Sequence, residues 1–438
     1  MTTAEKLIAI AENVPKVFEA GKAAGGGSAA VEEKDVNFYD YDGTLLHSYT
    51  IAEAQALMEL PPGPQHDGLV FQDWNWTLEK VKALTRPMTI GAMYVTDDGA
   101  TRLYISIPKG SRKTIPLYFS QTVTNGVTIH WGDGNTETLA GTGVVNTSHT
   151  YASDGDYVIR LVVADGCTVS LGANATGIGL LGTSSSSSYD TRYIANALRK
   201  VEMGERVVGL STYVFYYYLS LSGITVTNSI STFGASAFAY CRSLKFCVVP
   251  SPSNKNVGNY CFFECTNLRH ISLPYTLTRL DSQSELQACV SMYRLDVPDD
   301  VTAIGWTTLR NCASLRKINK SETTKLGTRA CQECFSLVEA HIGETATSIS
   351  EYLFSGCYSL SHVDIPSTIT TVGAYAFQNC YGMTEYDFTK LTAVPTLANA
   401  NAFTNIPSDC VIKVPASLRD EWAAATNWAT YASQIVGV

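Results

Sequence analysis

Charge is scarce in this chain, and what there is does not cluster. Only 16% of its 438 residues are charged, with 31 Lys and Arg against 40 Asp and Glu, a net charge of −9. With no long basic run, nucleic acid is excluded as a partner. No stretch approaches the roughly 18 consecutive apolar residues of a membrane span, so membrane insertion is not expected. The seven His are dispersed, and there is no His-Glu-x-x-His, no Gly-x-Ser-x-Gly and no P-loop. Hence the sequence points to no cofactor, no catalytic residue and no resident metal. The opening MTTAEKLIAIAENVPKVFEAGKAAGGG has charges throughout and lacks the uninterrupted apolar core of a secretory signal, so assembly in the cytoplasm is expected.

What is abundant is apolar and turn-forming: 45% hydrophobic residues, 24 Tyr and 33 Gly. That mixture at this length implies a mainly β, multidomain chain. Thr2 and Glu5 form a capping-box pattern, and Leu7, Ile10, Val14 and Val17 follow at helical spacing. Residues 1–30 are therefore expected to be a helical docking or oligomerisation segment ending in a Gly linker, making the protein a homo-oligomer. Residues 31–85 read as a small α+β domain. It has a hairpin around Asp42-Gly43, a helix capped by Thr50 and Glu53, and a second short helix after Trp74 and Trp76. From 86 to 172, short alternating strands separated by Gly and Asp imply a β-sandwich. There HWGDGN (130–135) and HTYASDGDYVIRLVV (149–163) resemble the PKD-type immunoglobulin-like domain, although the usual Asp-Phe before the first turn is missing. Asp133 and Asn135 of that turn could touch calcium, but a bare turn is the simpler reading. A Ser-rich linker (173–190) follows.

Cys241, Cys265, Cys289, Cys312, Cys334, Cys357 and Cys380 recur every 22 to 24 residues. Three residues before each stands Phe238, Phe262, Leu286, Leu309, Cys331, Phe354 or Phe377, and three after stands a Leu or Met. A fixed period near 23 means a solenoid, in which each repeat buries its apolar residues only by stacking on its neighbours. The consensus Ala-Phe-x-x-Cys-x-x-Leu resembles the BspA-like leucine-rich repeat over about 205–400. The repeat region is assigned to 191–400, with a C-terminal cap at 401–438: a strand at 411–414, then a helix from about Ser417 to Trp428. The cysteines are expected to be small buried hydrophobes forming a structural ladder, Cys331-x-x-Cys334 included.

One short string points elsewhere. Asp40-Tyr-Asp42-Gly-Thr-Leu45 resembles the first motif of haloacid-dehalogenase-type phosphatases, whose first Asp is the nucleophile. No βαβ series follows it, and Asp40 is expected in an alternating hairpin strand, so the string is read as a hairpin.

If the repeats stack in register, their outward strand positions form a ladder: His270 and Ser272, Arg294 and Asp296, Lys317 and Asn319, Glu339 and His341, His362 and Asp364. Tyr213, Tyr216 and Tyr217 add aromatic area near its start. This is the candidate binding surface for a bacterial surface protein or glycan receptor. Glu339, His341, His362 and Asp364 could meet a metal, but a solvated polar face is the simpler reading. The N-terminal segment is similar to that of prophage-encoded repeat proteins from gut bacteria. That resemblance implies a virion-surface protein of the tail-tip, tail-fibre or head-fibre type, assembled in the host cytoplasm and attached to other virion proteins through residues 1–30. The small β modules would then act as spacers. A bacterial cell-surface adhesin of the BspA-like kind is the alternative.

Overall fold

The computed structural model describes residues 31–173, 177–183, 194–250 and 257–438. The expected N-terminal helix and most of the Ser-rich linker lie outside them. The described residues form two compact units, Val31–Thr278 and Arg279–Val438.

The first unit opens with a four-stranded sheet. Its strands are β1 (Val36–Tyr39), β2 (Leu45–Tyr49), β3 (Leu69–Trp74) and β4 (Met88–Thr96), ordered β2-β1-β4-β3. Helices α1 (Ile51–Gln55) and α2 (Leu78–Lys82) pack with it around Phe38, Trp74, Trp76, Val81 and Ile90. The capping box of α1 is complete: the Glu53 amide donates to Thr50 Oγ1 at 3.2 Å, and the Thr50 amide to Glu53 Oε2 at 2.7 Å. β4 lies beyond the expected border at residue 85, because β1 needs a parallel neighbour and finds it there. The hairpin reading of Asp40–Thr44 holds, but the alternating pattern expected for β1 does not. All four of its residues are buried, since one face meets the Trp core and the other meets the repeats.

Next come β5 (Thr101–Ile107), β6 (Thr114–Gln121), β7 (Val127–His130), β8 (Thr136–Thr138), β9 (Gly143–Thr150), β10 (Gly155–Val163) and β11 (Val169–Leu171). They divide between two sheets, and β5 and β6 alternate buried with half-buried residues along their length. Neither sheet stops at the expected border. β12 (Leu198–Glu202) pairs with β5, and β13 (Val207–Leu210) pairs with β11. β14 (Gly223–Ile224) and β15 (Thr232–Phe233) extend them in parallel. The first repeats thus use exposed sheet edges as templates, and those sheets cover the repeats' open end in return. β16 (Phe246–Val248) and β17 (His270–Ser272) continue the repeats as a parallel pair.

In the second unit each repeat adds two short parallel strands. One series is β18 (Arg294–Asp296), β20 (Lys317–Asn319), β22 (Glu339–His341), β24 (His362–Asp364), β26 (Glu385–Asp387) and β28 (Val411–Val414). The other is β19 (Ala303–Ile304), β21 (Lys325–Leu326), β23 (Ser348–Ile349), β25 (Thr371–Val372) and β27 (Thr396–Leu397). Between them, every repeat makes a turn with left-handed residues at two positions four apart. These are Ser284 and Ala288, Thr307 and Asn311, Arg329 and Glu333, Tyr352 and Gly356, and Tyr375 and Asn379. Such residues cost about 1 kcal/mol each when not Gly. The compensation is a further ladder of backbone bonds: Thr307, Leu309 and Asn311 donate to the carbonyls of Thr328, Ala330 and Gln332 in the next repeat.

The ladder cysteines sit under this turn, all fully buried and unpaired by disulfides. Each does more than fill space. The Sγ of Cys312, Cys334, Cys357 and Cys380 donates, at 3.1 to 3.2 Å, to the carbonyl of Leu286, Leu309, Cys331 and Phe354 in the preceding repeat. Those carbonyls already accept the ladder amide of their own repeat, so the thiol satisfies the second lone pair. Cys241 and Cys265 do the same in the first unit. Burial pushes the thiols of Cys241, Cys312, Cys334, Cys357 and Cys380 up, Cys312 to about 12, so they stay protonated as donors.

The C-terminal cap follows the expected order with an addition. After β28 come a 3-10 turn, the helix α3 (Arg419–Ala424) and a second 3-10 turn, and β29 (Ile435–Gly437) then pairs with β28. Trp422 and Trp428 close on Phe388, and Trp428 Nε1 donates to the Pro395 carbonyl at 2.8 Å.

Candidate functional site

The ladder predicted as a binding surface divides into a covered part and an open part. His270 is 8% exposed and Ser272 is fully buried, because the four-stranded sheet lies on β16 and β17. Ser272 Oγ has Asn75 Oδ1 (2.9 Å) and the Thr89 carbonyl (3.0 Å) as the two acceptors within reach of its one proton. Asn75 Nδ2 reaches the Val249 carbonyl and Trp76 Nε1 the Leu273 carbonyl, while the Tyr39 ring packs on His270 at 4.7 Å. Gly91 makes the approach possible: a Cβ there would sit 2.4 Å from Val248. His270 and Ser272 are therefore interface residues within the chain and not ligand contacts. The domain at 31–96 is a cover for the repeats, where a spacer was expected.

In the second unit Arg294, Asp296 and Asn319 are also withdrawn. Asp296 and Asn319 are buried. Arg294 holds Asp296 Oδ2 at 2.8 Å, and Asn319 Nδ2 donates to Asp296 Oδ1 at 2.6 Å, an internal knot that fixes the register of β18 and β20.

The open part begins at Lys317. Lys317, Glu339, His362, Asp364, Glu385 and Asp387 are exposed and His341 is half-buried. Register places Glu339 beside His362 and His341 beside Asp364. The side chains pair across strands: Lys317 with Glu339 at 3.1 Å, His341 with Asp364 at 3.5 Å, and Glu385 with Lys413 at 2.6 Å. His362 pairs with Asp364 of its own strand at 3.2 Å. The hydrogen bond from Lys413 to Glu385 raises the lysine pKa. Slight burial works against ionising Asp387, but the Thr389 hydroxyl and amide outweigh it and hold the carboxyl below its usual range. Four charged strands of successive repeats thus present a row of donors and acceptors whose mutual pairing is solvent-screened and weak, and so exchangeable for a ligand's. Among the described residues no cluster of His, Cys, Asp and Glu has metal-binding geometry.

Tyr213, Tyr216 and Tyr217 lie on a turn, not on the strand face; Tyr213 and Tyr217 occupy its left-handed positions. They form a half-exposed aromatic group in which Tyr217 stacks on Tyr240 at 4.0 Å and Tyr216 meets both edge-on. Sequence reasoning missed the second unit's counterparts, Tyr352 stacked on Tyr375 (4.6 Å) and Phe335 on Tyr358 (4.9 Å). The 23-residue spacing of these pairs was the available signal.

The two strings with chemical overtones are structural. Asp40 is buried, its Oδ2 on His66 Nε2 at 2.7 Å and its Oδ1 accepting from Tyr94 at 2.8 Å and from the Tyr41 amide at 2.7 Å. Both oxygens a nucleophile would need are engaged. Asp133 likewise has Oδ2 on His149 (2.6 Å) and Oδ1 on the Asn135 amide (3.1 Å), which makes it a turn former.

A family model described as BspA type leucine rich repeat region matches residues 190–316 and 282–408, together half of the chain, in six copies. Among solved structures the chain is similar to a leucine-rich repeat protein of T. pallidum, with 26% identity, 34% of this chain and 69% of that one covered, and a TM-score of 0.32. It is also similar to a leucine-rich repeat protein of Bacteroides ovatus (19% identity, 49% and 66% covered, TM-score 0.33). A third is the pneumococcal vaccine antigen PcpA (15% identity, 55% and 66% covered, TM-score 0.37). No curated protein matches the chain.

Proposed function

Because the chain belongs to the BspA-type leucine-rich repeat family, a mainly β architecture with a repeat solenoid of about ten turns and few helices, we propose that it is a non-enzymatic recognition protein. It binds a protein or glycan of a bacterial host surface and is carried on a virion as a tail-tip, tail-fibre or head-fibre component. The observation that carries the binding reading is the open, polar, in-register ladder from Lys317 to Asp387, in a chain that seals the equivalent positions at His270 and Ser272 with its own sheet. Extended repeat surfaces recognise partners through such fixed arrays. The virion setting is supported by the likeness of the N-terminal sequence to prophage-encoded repeat proteins. In that setting residues 1–30 hold the protein to the particle and to its own copies.

Reversing the ladder tests the binding reading. Glu339→Lys, Asp364→Lys and Asp387→Lys together lower binding to host cells by about tenfold or more, since each lost charge contact contributes about 0.5–1 kcal/mol. The protein stays folded and its unfolding transition falls only slightly, because all three side chains are exposed and the Asp387 bonds to Thr389 are the main ones lost. Equal binding by the variant refutes the assigned face. A cell-surface adhesin fits the same family membership. Antibody labelling of particles against labelling of bacterial envelopes separates the two settings, and deleting residues 1–30 abolishes incorporation into particles in the first.

A further inference from the structure

Sheet edges are where chains add to one another, because an edge strand carries unpaired backbone donors and acceptors, and native proteins blunt them. Most edges of the first unit are blunted. β8 has three residues, and β14 and β15 have two each. β2 and β3 each join their sheet through a register shift, at Phe38/Tyr39 and at Phe71/Asp73. β9 is the exception. It runs eight residues, Gly143–Thr150, pairs without a shift along its whole length with β6, and ends its sheet. Its sequence, GVVNTSHT, contains no proline and no charged residue. Among the described residues, the backbone groups on its outer side have no backbone partner.

We propose that β9 is the homotypic interface of this protein: two copies join antiparallel along their β9 edges and make one continuous sheet. A second copy fits this edge for two reasons. The first is self-complementarity. With Thr147 opposite Thr147 across a two-fold axis, Asn146 faces Ser148, Val145 faces His149 and Val144 faces Thr150, so no like charges oppose one another. The second is charge. A chain of net charge −9 repels its own copy over most of its surface, and an uncharged eight-residue edge is where two copies can approach. The interface is independent of the strand-face ladder and of residues 1–30.

The test uses the full-length chain. Light scattering across a concentration series, with hydrogen exchange of 143–150 at its two ends, is expected to show a dimer whose β9 amides slow as concentration rises. Asn146→Lys with Ser148→Lys, both exposed, places lysines face to face and weakens dimerisation by about tenfold or more, with an unchanged unfolding transition at dilutions where both proteins are monomeric. A monomer at all concentrations overturns the proposal. So does an oligomer whose β9 amides exchange equally fast at both ends, or one that the lysines leave intact. Protection of 143–150 that appears only when another protein is added assigns the edge to a foreign strand and overturns it too. Should the lysine variant fold poorly, the exchange comparison on the unmodified chain decides alone.

Discussion

A thiol in this repeat is chosen for its proton. Leu or Val would fill the site under the turn, but neither can donate to the carbonyl three residues before the ladder position of the preceding repeat. Cys334→Val removes that donor and adds volume, and is expected to cost about 2 kcal/mol. Cys334→Ser keeps a donor and costs about half as much, as read by denaturant unfolding. A second residue-scale prediction concerns Glu285. Burial dominates and raises its carboxyl pKa, while hydrogen bonds from the Ser282 amide and the Thr308 hydroxyl only partly offset it. A carboxyl raised above its unfolded value favours the fold most when protonated, and that contribution is lost as pH rises through the folded value. Glu285→Gln should therefore melt higher than the parent at neutral pH. The difference should vanish as the pH is lowered below the ordinary carboxylate range. The spacing of Cys241 to Cys380 made the ladder legible in the sequence, but the thiol's partner was not, because a carbonyl's second lone pair leaves no trace in residue type.

At the scale of the element, the turn of each repeat trades backbone strain for a shared hydrogen-bond ladder. Ala288 has φ +61 and no side-chain function there. Ala288→Gly is expected to stabilise by roughly 0.5 kcal/mol, the relief of the left-handed strain exceeding Gly's entropic cost. Ala330 lies in the corresponding turn of a later repeat, is fully buried and has no left-handed backbone. Ala330→Gly should instead cost about 1 kcal/mol or more, measured the same way. Elements whose signals are local were readable: the α1 capping box at Thr50 and Glu53, the Asp42-Gly43 turn and the strand at 411–414. β4 was misplaced because its parallel partner β1 lies some fifty residues upstream. The burial of β1 on both faces was missed for a similar reason, since its second face is supplied by Phe246 and His270.

At the scale of the molecule, the first unit carries a charge network at the border of its apolar core. Arg102 sits among Asp97 (2.6 Å), Asp98 (2.9 Å), Glu202 (3.4 Å) and the Gly68 carbonyl (2.9 Å), and Lys200 pairs with Glu202 at 2.8 Å. Arg102→Met leaves Asp97 without its partner, while Lys200 keeps Glu202 and Arg160 keeps Asp98. It is expected to cost roughly 1 kcal/mol and to speed hydrogen exchange at 66–69. The sheet at 31–96 is held on β16 and β17 by Asn75, Trp76 and Ser272, and the exposed strand face is the one from Lys317 to Asp387. The most direct test is hydrogen-exchange footprinting of the full-length protein with and without host bacterial envelopes. Added envelopes should slow exchange at 317–319, 339–341, 362–364 and 385–387, leave 246–248 and 270–272 unchanged, and release no envelope fragments. Protection confined to other segments, or release of cleaved envelope material, would contradict the account.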